Sequence, residues 1–212
     1  MGSRRERERE ERRKYILEKA QGLFARKGYL RTSMAEIAEA SEFAVGSLYS
    51  MFTSKEEILA TIFTEHIDEI LNSIEEILKD ESTGAREKIE RGIEKLIRVY
   101  IENQDFYKIF VAEAKSVEWG VRTEVGESIY EGTEKFLRLF SGIFRQAIEE
   151  GIVDADLDPV FLSMILRNYV HSTVSHYIYG DTSLEIDQLL KITKRMLFHG
   201  ISPSESGEKL IP

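Results

Sequence analysis

The side chains whose types and spacing could do chemistry gather between Thr32 and Lys55. Thr32, Ser33 and Ser47 supply hydroxyls, Tyr49 a phenol and Lys55 an ammonium, while Gly46 lies beside the small apolar Ala44 and Val45. Such a set donates hydrogen bonds and neutralises anions. Signatures of covalent or metal chemistry are missing elsewhere. None of His66, His171, His176 and His199 has a glutamate three residues before it, as helical di-metal carboxylate sites require. No G-x-S-x-G, P-loop or dinucleotide fingerprint occurs. The absence of cysteine excludes disulfides, thiolate metal sites and cysteine nucleophiles. An enzyme is not expected, nor a cofactor or a metal.

The elements that must hold these groups can be read from spacing. Ser33 with Glu36 is a capping box, and Met34, Ile37 and Ala38 form a short apolar stripe behind it. Ser41-Glu42-Phe43 breaks the stripe, so a corner falls there. A second short helix over about 44–52 puts Leu48 and Phe52 on one face, and Ser54 with Glu57 caps a long helix. Two short helices joined by a tight turn make a helix-turn-helix, whose second helix enters the major groove of DNA. In that setting Gly46 permits close approach to the duplex, and Tyr49 and Lys55 can reach phosphates. Thr32 and Ser33 face the backbone, and Ser47 is the polar group placed for a base edge. Each residue alone also fits a cap, a solvated group or, for Gly46, a small contact against another helix. The spacing taken together favours DNA.

At AEIAEAS, GSLYSMF and SKEEIL, preceded by ARKGY, the sequence resembles the DNA-binding domain of the tetracycline-repressor (TetR) family of transcriptional regulators. The resemblance implies a homodimer, a palindromic operator and a helical C-terminal domain that accepts a small-molecule inducer. It implies about nine helices in all: a three-helix head over 1–55 and a ligand-binding and dimerisation domain over 56–212. The chain departs from the family pattern at three places. Glu42 stands where a glycine often sits, Ala44-Val45-Gly46 where Ser-Lys-Gly is common, and Ser50-Met51 where an Arg-His pair often follows the tyrosine. The recognition helix therefore lacks every Arg, Lys, Asn or Gln able to make a bidentate base contact. Ala44 and Val45 against thymine methyls, Ser47 and DNA shape are left to carry readout.

The 212 residues, 42% hydrophobic and 32% charged, can bury a large core, and long segments of 3.6-residue period with few breaks predict an all-α chain. No apolar run approaches the ~18 residues that span a bilayer, and the Arg- and Glu-rich start has no apolar core of a signal peptide, so a cytoplasmic protein is expected. The net charge of −9 conceals a division. Residues 1–55 hold 12 Lys+Arg against 8 Asp+Glu, a net of +4, and the remainder holds 17 against 30, a net of −13. Positive charge thus sits with the helix-turn-helix, where phosphates need it. The stretch RRERERE-ERRK opening the first helix, 4–27, reads as a solvated extension laced by i,i+4 pairs. The alternative reading is an arm whose Arg4 and Arg5 approach DNA.

Behind the head, helices are expected over 54–79, 85–103, 106–115, about 124–150, 158–179 and, capped by Thr182 with Glu185, up to about 199. Asp158 followed by Pro159 is a clean start signal. Aromatic residues at helical spacing are mostly core. Where the resemblance implies an effector pocket, Asn168 and His171 are the polar groups expected to face it, with Phe110, Trp119, Phe140 and Met164 as walls. A small apolar or aromatic effector follows. A place at the dimer seam fits His171 equally. The resemblance puts that seam on the last two long helices, which carry Leu162, Ile165, Val170, Leu189, Leu190, Ile192, Met196, Leu197 and Phe198. The rival to a regulator is a helical protein-interaction module of the same fold with weakened or lost DNA binding.

Overall fold

The computed structural model describes residues 4–118, 124–180 and 182–200, without the side chains of 114–118 and 124. Nine α-helices lie among the described residues: α1 (Arg4–Lys27), α2 (Met34–Ala40), α3 (Val45–Tyr49), α4 (Lys55–Lys79), α5 (Ala85–Glu102), α6 (Gln104–Glu118), α7 (Glu124–Glu149), α8 (Pro159–Tyr179) and α9 (Ile186–His199). A 3-10 turn, Tyr29–Arg31, joins α1 to α2. The all-α expectation holds. None of these helices is long and apolar enough to cross a membrane.

Two compact units share the chain. One holds the described residues up to Glu69 with Asn103–Thr133, and the other holds Ile70–Glu102 with the described residues from Glu134 on. Neither unit ends at residue 55, because α4 buries Ile58, Leu59, Ile62 and Phe63 beyond that point. Helices α4 and α7 each contribute to both units.

In the first unit α1 packs on α2 and α6, and α2 on α3. Its apolar stripe buries Ile16, Leu17, Ala20 and Phe24; Tyr15, expected to join them, is 38% exposed, with the Lys19 ammonium over its ring. Phe63 meets Phe106 edge to face at 5.4 Å and stacks on Phe110 at 6.2 Å. The His66 ring stacks on Phe106 and its Nε2 lies 2.8 Å from Gln21 Oε1; burial depresses its basicity.

In the second unit α5 packs on α8 and α9. Gly92 admits Phe140, whose ring would lie 3.0 Å from an added Cβ, a distance real side chains avoid. The Glu150 carboxylate accepts from the Ala85 N–H at 2.9 Å and so satisfies the first turn of α5. Glu94 binds Lys194 at 2.8 Å, and Arg98 binds Asp187 at 2.7 Å, tying α5 to α9.

Several helix ends differ from expectation. Helix α6 begins at Gln104 rather than at 106, with Asp105 inside its first turn. At α4 the Ser54 hydroxyl accepts from the Glu57 N–H, but the Glu57 carboxylate turns to the N–H and hydroxyl of Thr53, so the box is only half closed. The last helix starts at Ile186, with its cap three residues beyond Thr182. Glu185 and Gln188 form its capping box, and Thr182 accepts from the Leu184 N–H instead. Asp158 and Pro159 open α8 as read from sequence, with Asp158 Oδ1 2.7 Å from the Phe161 N–H.

Candidate nucleic-acid interface

The helix-turn-helix is built from local signals that the sequence carries openly. Ser33 caps α2: its hydroxyl accepts from the Glu36 N–H at 3.3 Å, and the Glu36 carboxylate accepts from the Ser33 N–H at 2.9 Å. Lys27 also grips Glu36, and these hydrogen bonds, Lys27 first and Ser33 next, hold that carboxyl down at about 2.

The corner between α2 and α3 is a Schellman motif. The Phe43 N–H reaches the Ala38 carbonyl at 2.9 Å and the Glu42 N–H reaches Glu39 at 3.1 Å. Its hinge residue, Glu42, has φ +59, the left-handed conformation that glycine adopts without strain. The same motif closes α7 at Gly151, φ +70, with the Ile152 N–H on the Ala147 carbonyl. One protein thus builds one turn twice, once with glycine and once with glutamate.

Beyond the corner, Leu48 and Phe52 are fully buried and hold α3 in place. Its other face is open: Ala44, Gly46 and Ser47 are exposed, Val45 is 43% exposed and Tyr49 50%. A Cβ added at Gly46 meets nothing within 4 Å, and its φ is not positive. Neither internal packing nor backbone conformation calls for glycine there. The reading of Gly46 as a small contact against another helix therefore fails.

Two residues expected at the phosphates are committed elsewhere. Thr32 is 2% exposed and its hydroxyl donates to the Gly28 carbonyl at 3.0 Å. Lys55 Nζ donates to the carbonyls of Tyr29 and Thr32 at 3.0 Å each and to Leu30 at 3.5 Å, with the Tyr29 ring 4.4 Å away. All three ammonium hydrogens are taken up by the turn before α2. Lys55 braces the turn that leads into the scaffold helix. Gly28, just past the end of α1, has φ +84 with ψ 149, so it turns the chain without entering the left-handed helical region.

The structure adds residues that the sequence reading left in a solvated extension. Arg5, Glu8, Arg9 and Arg12 of α1 line an open cleft of about 570 Å³, closed on its other side by Phe43, Ser47, Ser50 and Met51. Of the i,i+4 pairs expected along this extension, Arg4–Glu8 forms at 2.8 Å. The signal that could have found the cleft is the four- and three-residue spacing of Arg5, Arg9 and Arg12, which puts them on one helical face.

The residues offered to an effector are dispersed. Phe110 belongs to the ring cluster of the first unit. Phe140 and His171 belong to the second, where His171 faces Tyr100 at 5.4 Å, and burial with the Arg167 charge lowers it to about 4. Met164, 47% exposed, and Asn168 lie on the outer face of α8 rather than inside, beside Phe161 and Ile165. Phe161, on the same face, is itself 57% exposed. Trp119 lies outside the described residues.

Comparison with known proteins agrees with this geometry. Residues 16–62, which hold the helix-turn-helix, match the family model of bacterial regulatory proteins, tetR family. The fatty acid metabolism regulator protein of Bacillus subtilis is 25% identical over 186 residues, 88% of this chain and 93% of that protein. Among solved structures, the transcriptional regulator FadR from Bacillus subtilis, in complex with stearoyl-CoA, superposes with a TM-score of 0.76 at 23% identity, covering 89% of this chain and 98% of that one. AibR, in complex with isovaleryl coenzyme A and operator DNA, superposes with a TM-score of 0.72 at 22% identity, covering 88% and 98%. At those identities the two structures speak for the fold.

Proposed function

Since the chain belongs to the tetR family of bacterial regulatory proteins, we propose that it represses transcription as a homodimer on a palindromic operator and is released by a small, largely apolar effector. The observation that carries the DNA-binding part is Gly46. A glycine required by neither packing nor φ, in the middle of an exposed face of small residues, fits a helix pressed closely against another molecule. Ala44, Val45 and Ser47 then touch base edges, and Ser33 and Tyr49 touch the backbone. DNA binding is assigned to residues 1–55, and effector binding with dimerisation to 56–212.

For the effector, the relatives support a more definite class. FadR of Bacillus subtilis is described with stearoyl-CoA and AibR with isovaleryl coenzyme A. An acyl thioester, whose apolar chain needs an apolar wall, is the effector class proposed here, with Phe140 and His171 near it in the second unit. Met164 and Asn168, being outward on α8, go to the dimer seam with Ile165 and Met196, each of the two 40% exposed or more. Occupancy would bias α4, which carries residues of both units, and so change the spacing of the two recognition helices away from ~34 Å, one turn of DNA.

The test is a salt-dependent titration of the chain against fragments of the region upstream of its own gene, with and without long-chain acyl-CoA. Binding that weakens five- to about a hundredfold on adding acyl-CoA is expected. A monomer in solution, or no affinity for any duplex at low ionic strength, ends the proposal. The rival interaction module draws its support from the lack of bidentate donors on α3, and the same titration separates the two.

A further inference from the structure

The cleft beside α3 has two unlike walls. One wall is formed by Phe43, Ser47, Ser50 and Met51, with the Ser50 hydroxyl already donating to the Ser47 carbonyl at 2.7 Å, and α1 offers Arg5, Arg9 and Arg12 on the other. We propose that this cleft seats consecutive phosphates of one DNA strand, making the first three turns of α1 a second DNA-binding element beside the recognition helix. The proposal rests on the reading of the chain as a DNA-binding regulator and adds residues that this reading does not contain.

Charge arrangement is the first argument. Strict alternation of Arg and Glu puts like charges four residues apart, so Arg5 and Arg9 share a face and Glu6 and Glu10 share another. The one acidic residue lining the cleft, Glu8, is held by Arg4 at 2.8 Å. Among the described residues Arg5, Arg9 and Arg12 form no ion pair with a carboxylate, although four glutamates, Glu6, Glu8, Glu10 and Glu11, lie next to them in sequence.

Length is the second. Arg5 to Arg12 spans seven residues, about 10 Å of helix at ~1.5 Å per residue, over which one DNA strand presents about three phosphates at ~3.4 Å of axial rise. Guanidinium forks suit phosphate oxygens, and exposed arginines reach them with little desolvation cost. Position is the third: the cleft shares Ser47 with the face of α3 assigned to the bases, so a strand entering the major groove there passes the arginines. The α1 helix is anchored for this role by Arg13, whose guanidinium lies 4.6 Å over the Phe52 ring and donates to Thr61 Oγ1 at 3.3 Å.

The experiment compares the full chain with its Arg5→Ala/Arg9→Ala/Arg12→Ala variant and the matching triple Lys variant. Each is titrated by fluorescence anisotropy against an upstream-region duplex and a random-sequence duplex, between ~50 and ~200 mM salt. The alanine variant is expected to lose about 2 to 3 from the slope of log affinity against log salt per protomer, at ~0.9 per phosphate. Affinity for both duplexes should fall at least tenfold, with their ratio and the thermal melting point unchanged, and lysine should restore most of the slope. An unchanged slope overturns this inference alone, and so does a loss confined to the upstream-region duplex. A wild-type chain that binds neither duplex overturns the function proposed above as well.

Discussion

Two exposed faces of this molecule break the rule of polar outside and apolar inside, and they break it in opposite ways. On α3 the exposed residues are small: Ala44, Val45, Gly46 and Ser47. On α8 they are large, with Phe161 and Tyr179 each 57% exposed, Met164 47%, Ile165 45% and Val160 43%. Small residues have little area to bury, so their value to a partner lies in how near its atoms can come. Large ones yield free energy in proportion to the area covered, about 25 cal/mol per Å². The first face suits a rigid, polar, ridged partner such as a duplex. The second suits another protein surface, and the proposed homodimer supplies one.

The comparison breaks most visibly at α8. Phe161→Asp with Ile165→Asp removes two half-exposed side chains from each protomer and leaves four carboxylates to be desolvated across the two-fold axis. With roughly 1 kcal/mol lost per side chain before the charge penalty, about 4–6 kcal/mol is at stake, three to four orders of magnitude in dimer dissociation. Sedimentation velocity should show a folded monomer with unchanged helical content. A variant that sediments as the wild type would remove α8 from the seam.

At α3 the corresponding change is Gly46→Ala. A methyl group there meets no protein atom, and a helical position gains roughly 0.5–1 kcal/mol on exchanging Gly for Ala, so melting should rise. Operator affinity should fall at least tenfold all the same, because the methyl occupies the space the duplex needs. A variant more stable and equally tight on DNA would show that the open face is only surface.

These faces differ in how far the sequence disclosed them. Capping signals are local, so Ser33–Glu36 and Asp158–Pro159 could be read directly, and the bounds of α1 came out at Arg4 and Lys27. Where two caps competed, spacing did not decide: Thr182 and Glu185 both sit three residues before a partner, and the helix begins after the second. Long-range commitments left no trace in sequence. Nothing in the position of Lys55 announces that its ammonium reaches back 23 to 26 residues to the turn carbonyls. Orientation was the other gap, since apolar residues occur on both faces of α8 and Met164 cannot be told from a core residue by spacing.

The inner side of α8 sharpens the contrast through pH. His171 sits against Tyr100 with its folded-state value lowered to about 4, below the ~6.5 of an unfolded chain. The unfolded state therefore binds the proton more tightly. Stability from this group is complete above pH ~6.5 and is lost as pH falls toward about 4, by roughly 1–3 kcal/mol. Denaturant titrations across that window should slope downward in the wild type and flatten in His171→Gln. An equal slope in both would place the acid sensitivity elsewhere, with the half-buried His66 as the next group to replace.

Glu42 gives the smallest effect and the most discriminating one, because it sits at the hinge that aims α3. Gly151 shows what the same turn looks like without strain. Holding a side chain at φ +59 costs about 1 kcal/mol, part of which Glu42→Gly returns to chain entropy. A rise of about 2–4 °C in melting temperature is the upper expectation for a chain of this size. Glu42→Ala keeps the strain and removes only the charge, so its melting should match the wild type. If both variants bind DNA a few times more tightly, the carboxylate was repelling phosphates; if glycine alone does so, the hinge was holding α3 off its best angle. The first result is expected, since Glu42 is exposed and the Schellman hydrogen bonds are already formed at 2.9 and 3.1 Å.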